Sequence, residues 1–305
     1  MILRLSGPFD LDATLCCGQV FRWERRDDWW LGVVGDQVLR VRQKGDVLEF
    51  SGVNDAFMKH YFSLDHDIIT IAEEIGKDSH IKAALQTYWG LRLVRQPPWE
   101  CLVSFICATY KSVAAICQML KKLSAKFGER LSFEDCEYYA FPSADRLAAA
   151  SLKELESCGL GYRASYVLET ARTACSGHHD LVSFGKLPYE QAKKALLSFP
   201  GVGLKVADCV LLFSLGKLEA FPVDVWVKRI LQRYYIDHFD ADFARKLAAQ
   251  RALSDSSYAR LNAFGRSYFG AYAGYAQEYF YHYERCFSNR KLEKGNRAYA
   301  KPKMP

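Results

Sequence analysis

Two side chains stand out as able to do covalent chemistry: Lys205, two positions past Gly203, and Asp224, in Phe221-Pro222-Val223-Asp224-Val225-Trp226. The period over 189–198 predicts a helix that stops at Phe199-Pro200, because proline cannot continue it. Gly201-Val202-Gly203 makes a tight turn, and a second helix begins near Leu204. In such a helix-hairpin-helix, Gly201 and Gly203 leave room for a phosphate, and the amides opening the second helix point at it. Lysine there lies at the wrong end of the helix dipole, which disfavours its charge and favours a nucleophilic amine. A phosphate-binding lysine is the rival explanation. Asp224 stands just ahead of the apolar positions Val227, Ile230 and Leu231, where it can cap a helix. The same N–H groups would keep its carboxylate ionised, ready to balance positive charge. Clamp, amine and carboxylate together describe cleavage of an N-glycosidic bond in DNA. The amine attacks C1′, an imine to Lys205 follows, and β-elimination can nick the strand. An ordinary interhelix connection with a plain N-cap, in a passive DNA-binding module, stays open as the alternative.

These residues must be held by the elements around them. Residues 29–50 carry three short apolar runs broken at Gly35-Asp36 and Lys44-Gly45-Asp46. Leu39 and Val41 alternate with Arg40 and Arg42, the mark of a half-solvated antiparallel strand. Ile68, Ile71, Ala72 and Ile75 recur at helical spacing. From Pro98 onward the period is helical almost throughout, with a capping box at Ser151 and Glu154 and a further helix from Arg163 to about Gly177. The fold class is therefore α+β, an N-terminal antiparallel sheet domain packed on a mostly helical body. The expected division is 1–97, 98–287, and a basic flexible tail over 288–305.

Composition narrows the class. Half of the 305 residues are apolar, enough for a substantial core, and no apolar run approaches the roughly 20 residues of a membrane span. The start, MILRLSGPFDLD, lacks the apolar stretch of a secretory signal. An intracellular protein is expected, cytoplasmic at the nucleoid in a bacterium or nuclear in a eukaryote. The ten cysteines form no CxxC pair, so reduced thiols are expected, with no metal and no cofactor. Net charge is +6, but Arg290, Lys291, Lys294, Arg297, Lys301 and Lys303 against Glu293 supply nearly all of it. That segment adds non-specific phosphate attraction, and the near-neutral body must bind through a site.

Six motifs occur in order: Gly18-Gln19-Val20-Phe21-Arg22-Trp23, the run from Cys101 to Cys107, Gly159-Leu160-Gly161-Tyr162-Arg163-Ala164, FPGVGLKVADCV, PVDVW, and Tyr272-Ala273-Gly274-Tyr275-Ala276-Gln277. On these the chain, from about Leu11 to Glu284, resembles the 8-oxoguanine DNA glycosylase family of the helix-hairpin-helix superfamily. The resemblance implies Lys205 as Schiff-base nucleophile, Asp224 as catalytic carboxylate, and oxidised guanine in duplex DNA as substrate, bound by a monomer. It places the Gly18 carbonyl against N7–H of the oxidised base, where normal guanine would present a lone pair instead. It gives Gln277 the Watson–Crick edge, Tyr281 a stacking position, Cys209 the opposite face and Trp226 a pocket wall. Without it, Gly18 reads as a strand-end turn and Tyr281 as a core aromatic.

Among DNA-binding positions, Tyr162 matches a wedge aromatic and Arg163 an arginine that contacts the orphaned cytosine. Two positions depart from the pattern. Tyr110 replaces the asparagine that fills the gap left by the flipped base, and Ala115 replaces a second cytosine-contacting arginine. A glycosylase for other damaged purines and a non-catalytic hairpin protein are the rival readings. The aspartate-and-water branch generally lacks the lysine, and the endonuclease III-like branch carries a C-terminal cysteine cluster where this chain has only Cys286. Since an aromatic stacks on any base, excision rates opposite cytosine, adenine, guanine and thymine should be comparable. Measured rates strongly favouring cytosine would reject this.

Overall fold

The computed structural model describes residues 1–177 and 180–298, with side chains through Phe287. The N-terminal part holds β1 (Ile2–Arg4), β2 (Trp23–Arg26), β3 (Trp29–Val34), β4 (Gln37–Lys44) and β5 (Val47–Ser51). Around them lie α1 (Leu11–Cys16), α2 (Asp55–Tyr61), α3 (Ile68–Ile75) and α4 (Ser79–Thr87). The sheet is antiparallel in the order β1-β5-β4-β3-β2, with Leu31 opposite Arg40 and Val41 opposite Phe50. The alternation in β4 has its expected consequence: Leu39 and Val41 are buried while Arg40 and Arg42 reach solvent. The inner face packs on α2, where Trp23 Nε1 donates to Tyr61 OH at 2.9 Å.

The body contains α5 (Pro98–Cys107), α6 (Val113–Phe127), β6 (Arg130–Phe133), β7 (Cys136–Tyr139), α7 (Ala144–Ala148), α8 (Leu152–Ser157) and α9 (Arg163–Cys175). It continues through α10 (Leu181–Phe184), α11 (Tyr189–Leu196), α12 (Leu204–Phe213), α13 (Val225–Tyr234), α14 (Ala241–Ala249), α15 (Asp255–Phe269) and α16 (Ala273–Ala298). The α+β architecture is the one read from the sequence. Ser151 and Glu154 form the capping box that opens α8. The β6–β7 hairpin breaks the helical run expected after Pro98. Its two turn residues, Glu134 and Asp135, both take positive φ, 49° and 59°, as a two-residue hairpin turn of this hand requires. Glu-Asp is a poor signal for such a turn beside Asn-Gly or Asp-Gly, so the sequence hides it.

The body's core also takes Ile68, Ile71 and Ile75 from α3 and Ile81 and Leu85 from α4. Hence N-terminal helices brace the helical body as well as the sheet. The backbone of the segment read as a basic flexible tail continues α16 to Ala298, whereas its side chains and residues 299–305 lie outside the described residues. No described helix is long and apolar enough to cross a membrane.

The helical hairpin is tied down by one buried carboxylate. Asp208 of α12 is fully buried and accepts from Lys193 Nζ at 2.8 Å, Tyr189 OH at 2.5 Å, Tyr258 OH at 2.5 Å and Asn262 Nδ2 at 3.1 Å. These donors come from α11 and α15, so α12 is pinned on two sides. Removing one partner of a buried ion pair typically costs about 3–5 kcal/mol, because the other charge is left unpaired. Asp208→Ala should therefore lose stability on that order and strand Lys193. Urea unfolding would check it; a loss under about 1 kcal/mol would show that the network carries little.

Candidate active site and DNA-facing surface

Lys205 falls in the first turn of α12, whose N-cap, Gly203, offers no side chain to the free amides. Gly201 has φ +77°, and a Cβ there would come 2.6 Å from the Cβ of Tyr166, so only glycine fits against α9. Gly203 is open and exposed. The Lys205 side chain is half-buried, and its Nζ lies 5.1 Å from the centroid of the Phe105 ring. It turns inward, and its charge acts on Asp224, Cys209, Cys101 and Glu278.

Asp224 caps α13 as expected, with Oδ1 accepting from the amides of Trp226 and Val227, both at 2.9 Å. Burial is nevertheless the largest influence on it and pushes the carboxyl above its ordinary range. The cap amides, Lys205 and Arg285 pull the other way without cancelling that push. The sequence reading credits the cap alone with keeping the group ionised, and it omits the desolvation that tertiary packing imposes.

The N-terminal part and α16 close the site from the other side. Gly18 has φ +100°, and a Cβ on it would sit 2.7 Å from Arg285 Nη1 and 3.1 Å from the Tyr281 ring and hydroxyl. Its neighbour Gln19 fixes the loop from within: Nε2 donates to the carbonyls of Thr14 and Arg92, at 3.0 and 2.8 Å, and Oε1 accepts from Val94 N. Gln277 is buried, and its Oε1 has no hydrogen-bond partner. Tyr281 is half-buried one turn further along, and Asp224 acts on its hydroxyl. Cys209 is buried one turn beyond Lys205, and its thiol is pushed up to about 12 by that burial. Gly18, Cys209 and Tyr281 thus gather with Lys205 and Asp224, and Gln277 lies one turn before Tyr281 on α16. Trp226 is half-buried, its ring 4.7 Å from the Arg229 guanidinium.

On the outer surface, Tyr110 is 86 % exposed and Tyr162 58 % exposed. Arg163, grouped with them from the sequence, is only 4 % exposed. It is folded inward, with Nε donating to the Thr109 carbonyl at 3.1 Å. Among the described residues, no cluster of three or more His, Cys, Asp or Glu could hold a metal ion.

Comparison with known proteins covers both parts of the chain. Residues 2–102 match the N-terminal domain of 8-oxoguanine DNA glycosylase, and 103–252 match the HhH-GPD superfamily of base excision DNA repair proteins. The N-glycosylase/DNA lyase of Saccharomyces cerevisiae is 32% identical over 88% of this chain and 81% of its own length. The chain belongs to the HhH-GPD DNA glycosylases and is closely related to the 8-oxoguanine glycosylases. A probable N-glycosylase/DNA lyase of Methanothermobacter thermautotrophicus is 32% identical over 68% of this chain and 74% of its own length. Among solved structures, the Clostridium acetobutylicum 8-oxoguanine glycosylase/lyase, bound to duplex DNA with cytosine opposite 8-oxoguanine, superposes with a TM-score of 0.82. It is 30% identical and covers 94% of this chain and 98% of its own.

This glycosylase has two charged side chains at its site that the sequence reading misses. Arg285 donates to the Cys16 carbonyl and, at 3.4 Å, to Tyr281 OH. Its i, i+4 spacing from Tyr281 was the available signal. Glu278 is buried beside Gln277 with Oε1 unpartnered, and desolvation pushes its carboxyl up to about 7. Cys17, Arg285 and Lys205 favour its charged form and Asp224 opposes it. No local pattern signals a buried glutamate on a helix. Its raised value makes it stabilising when protonated: the folded state keeps the proton that an unfolded glutamate releases near pH ~4.3. Stability from this group is therefore full below that pH and is lost as pH rises to about 7. Glu278→Gln should gain roughly 2–3 kcal/mol relative to the parent between pH ~5 and ~8. Denaturation at both pH values checks this, and an unchanged difference would contradict it.

Proposed function

We propose that this chain is a bifunctional DNA glycosylase/AP lyase that excises 8-oxoguanine from duplex DNA as a monomer. The observation that carries this reading is the inward-turned Lys205 amine within electrostatic reach of the Asp224 carboxyl. The hairpin amides grip the phosphate backbone without reading sequence. The damaged nucleotide leaves the stack and enters between α12, the α13 cap and α16.

Recognition precedes chemistry. The Gly18 carbonyl accepts from N7–H of the oxidised base, and the buried Oε1 of Gln277, lacking a partner in the free protein, accepts from a donor on the Watson–Crick edge. Unmodified guanine would leave both the Gly18 carbonyl and its own N7 lone pair unmet, which penalises the wrong base more than it rewards the right one. Tyr281 and Cys209 take the two faces of the base.

The lone pair of Lys205 Nζ forms the bond to C1′ while the C1′–N9 pair leaves with the base, which takes up a proton. Asp224 balances the positive charge that builds on the sugar, and that charge in turn favours its ionised form against the burial that opposes it. Transfer of the amine proton to O4′ as the C1′–O4′ bond opens gives the imine. Removal of a C2′ proton expels the 3′ phosphate and nicks the strand.

Borohydride reduction of the imine tests this directly. The parent protein incubated with lesion-bearing duplex should leave a covalent adduct. Lys205→Gln should leave none while retaining DNA affinity within a few-fold. Absence of an adduct with the parent would end the lysine mechanism.

A further inference from the structure

Arg163 heads α9, and the sequence pairs it with the base opposite the lesion. The structure gives its guanidinium other work. Nε at 3.1 Å and Nη2 both donate to the Thr109 carbonyl, and Nη1 donates to the Leu160 carbonyl at 3.4 Å. Its Cζ lies 4.3 Å from the centroid of the Tyr162 ring. One planar cation therefore bridges the loop between α5 and α6 to the start of α9, and Tyr162 packs on its face.

The carbonyl it holds belongs to the peptide unit that leads into Tyr110. Holding that plane fixes one side of the Tyr110 N–Cα bond, and the Lys111 amide donating to the Ala108 carbonyl at 3.3 Å holds the other, so that Tyr110 sits at φ +53°. That region crowds the Cβ of any residue but glycine, so a tyrosine stays there only if its surroundings impose it. The strain has a visible product: a ring 86 % exposed, with no core to hold it, while Tyr162 across the Arg163 clamp is exposed as well. Without the clamp, Tyr110 would relax to an ordinary backbone conformation and its ring would point elsewhere.

We infer that Arg163 is a positioning residue that holds Tyr110 outward, so that the opposite strand is met by stacking on Tyr110 and Tyr162, not by hydrogen bonds from Arg163. This rests on the proposed DNA glycosylase activity. A guanidinium spread over two backbone carbonyls would have to give both up to reach a base. An exposed aromatic ring needs no such rearrangement and accepts any base, since each has a π-face.

The test is a double-mutant cycle on Arg163→Met and Tyr110→Ala, with single-turnover excision of the lesion opposite each of the four bases. Each single variant should slow excision by a similar factor opposite all four, within the roughly 5- to 150-fold range of one lost stacking partner. The double variant should be no slower than Tyr110→Ala by more than about threefold, because without the ring there is nothing left to position. A merely structural role for Arg163 would instead give multiplicative losses and overturn the inference. So would a loss confined to cytosine with Arg163→Met, or no effect of Tyr110→Ala. Tyr110 is too exposed for its replacement to unfold the protein, so that arm stands even if Arg163→Met fails to fold. Borohydride capture by the parent separates the two claims: no adduct would remove the activity itself, whereas an adduct with a cytosine-confined loss would remove only the role of Arg163.

Discussion

The Asp208 carboxylate is the constraint on which the active site depends. A charge with no access to water persists only when its lone pairs are taken up by donors, and Asp208 collects four, from Lys193, Tyr189, Tyr258 and Asn262. Because it stands almost one turn beyond Lys205 on α12, those donors orient that helix and thereby aim the amine. The same helix carries Cys209 and begins at the open Gly203 amides. The Gly203 amides, Lys205 and Cys209 thus move as a unit. The glycines at 201 and 203 set the turn, but the polar knot beneath keeps it in register with α13.

Around that fixed amine the charges are deliberately unbalanced. Asp224 and Glu278 are both desolvated enough to lie above the ordinary carboxyl range, with Lys205 and Arg285 as the cations acting on them. Desolvation of this kind disfavours two ionised carboxylates together. In the proposed reaction, the sugar that turns cationic during bond cleavage supplies the charge that the carboxylates lack, so that the site is better matched to the developing transition state than to the resting protein. Gln277 likewise carries a buried oxygen with no partner, which the proposed reading leaves unsatisfied until the base arrives.

On the outer surface, the tyrosines and the hairpin are mechanically joined. Arg163 links Thr109 to α9, Tyr162 meets Tyr166 edge-on with centroids 6.2 Å apart, and Tyr166 backs directly onto Gly201. The aromatic surface and the phosphate clamp therefore share one support, α9. In the proposed binding mode, grip on the backbone and contact with the partner strand are thereby coupled.

Much of this was legible locally. The hairpin, the capping role of Asp224, the strand alternation at Leu39 and Val41 and the capping box at Ser151 each follow from neighbours a few residues apart, so sequence alone determined them. The Glu134-Asp135 hairpin escaped because its turn uses atypical residues for a positive φ. What only the tertiary structure decided depends on burial and on long-range approach. The inward fold of Arg163 requires Thr109, over fifty residues away in sequence. The raised Asp224 and Glu278 carboxyls require the desolvation created when α1, α12, α13 and α16 come together. Periodicity encodes which face of a helix is buried, but not what stands opposite it, and electrostatics in a low-dielectric pocket is set by what stands opposite.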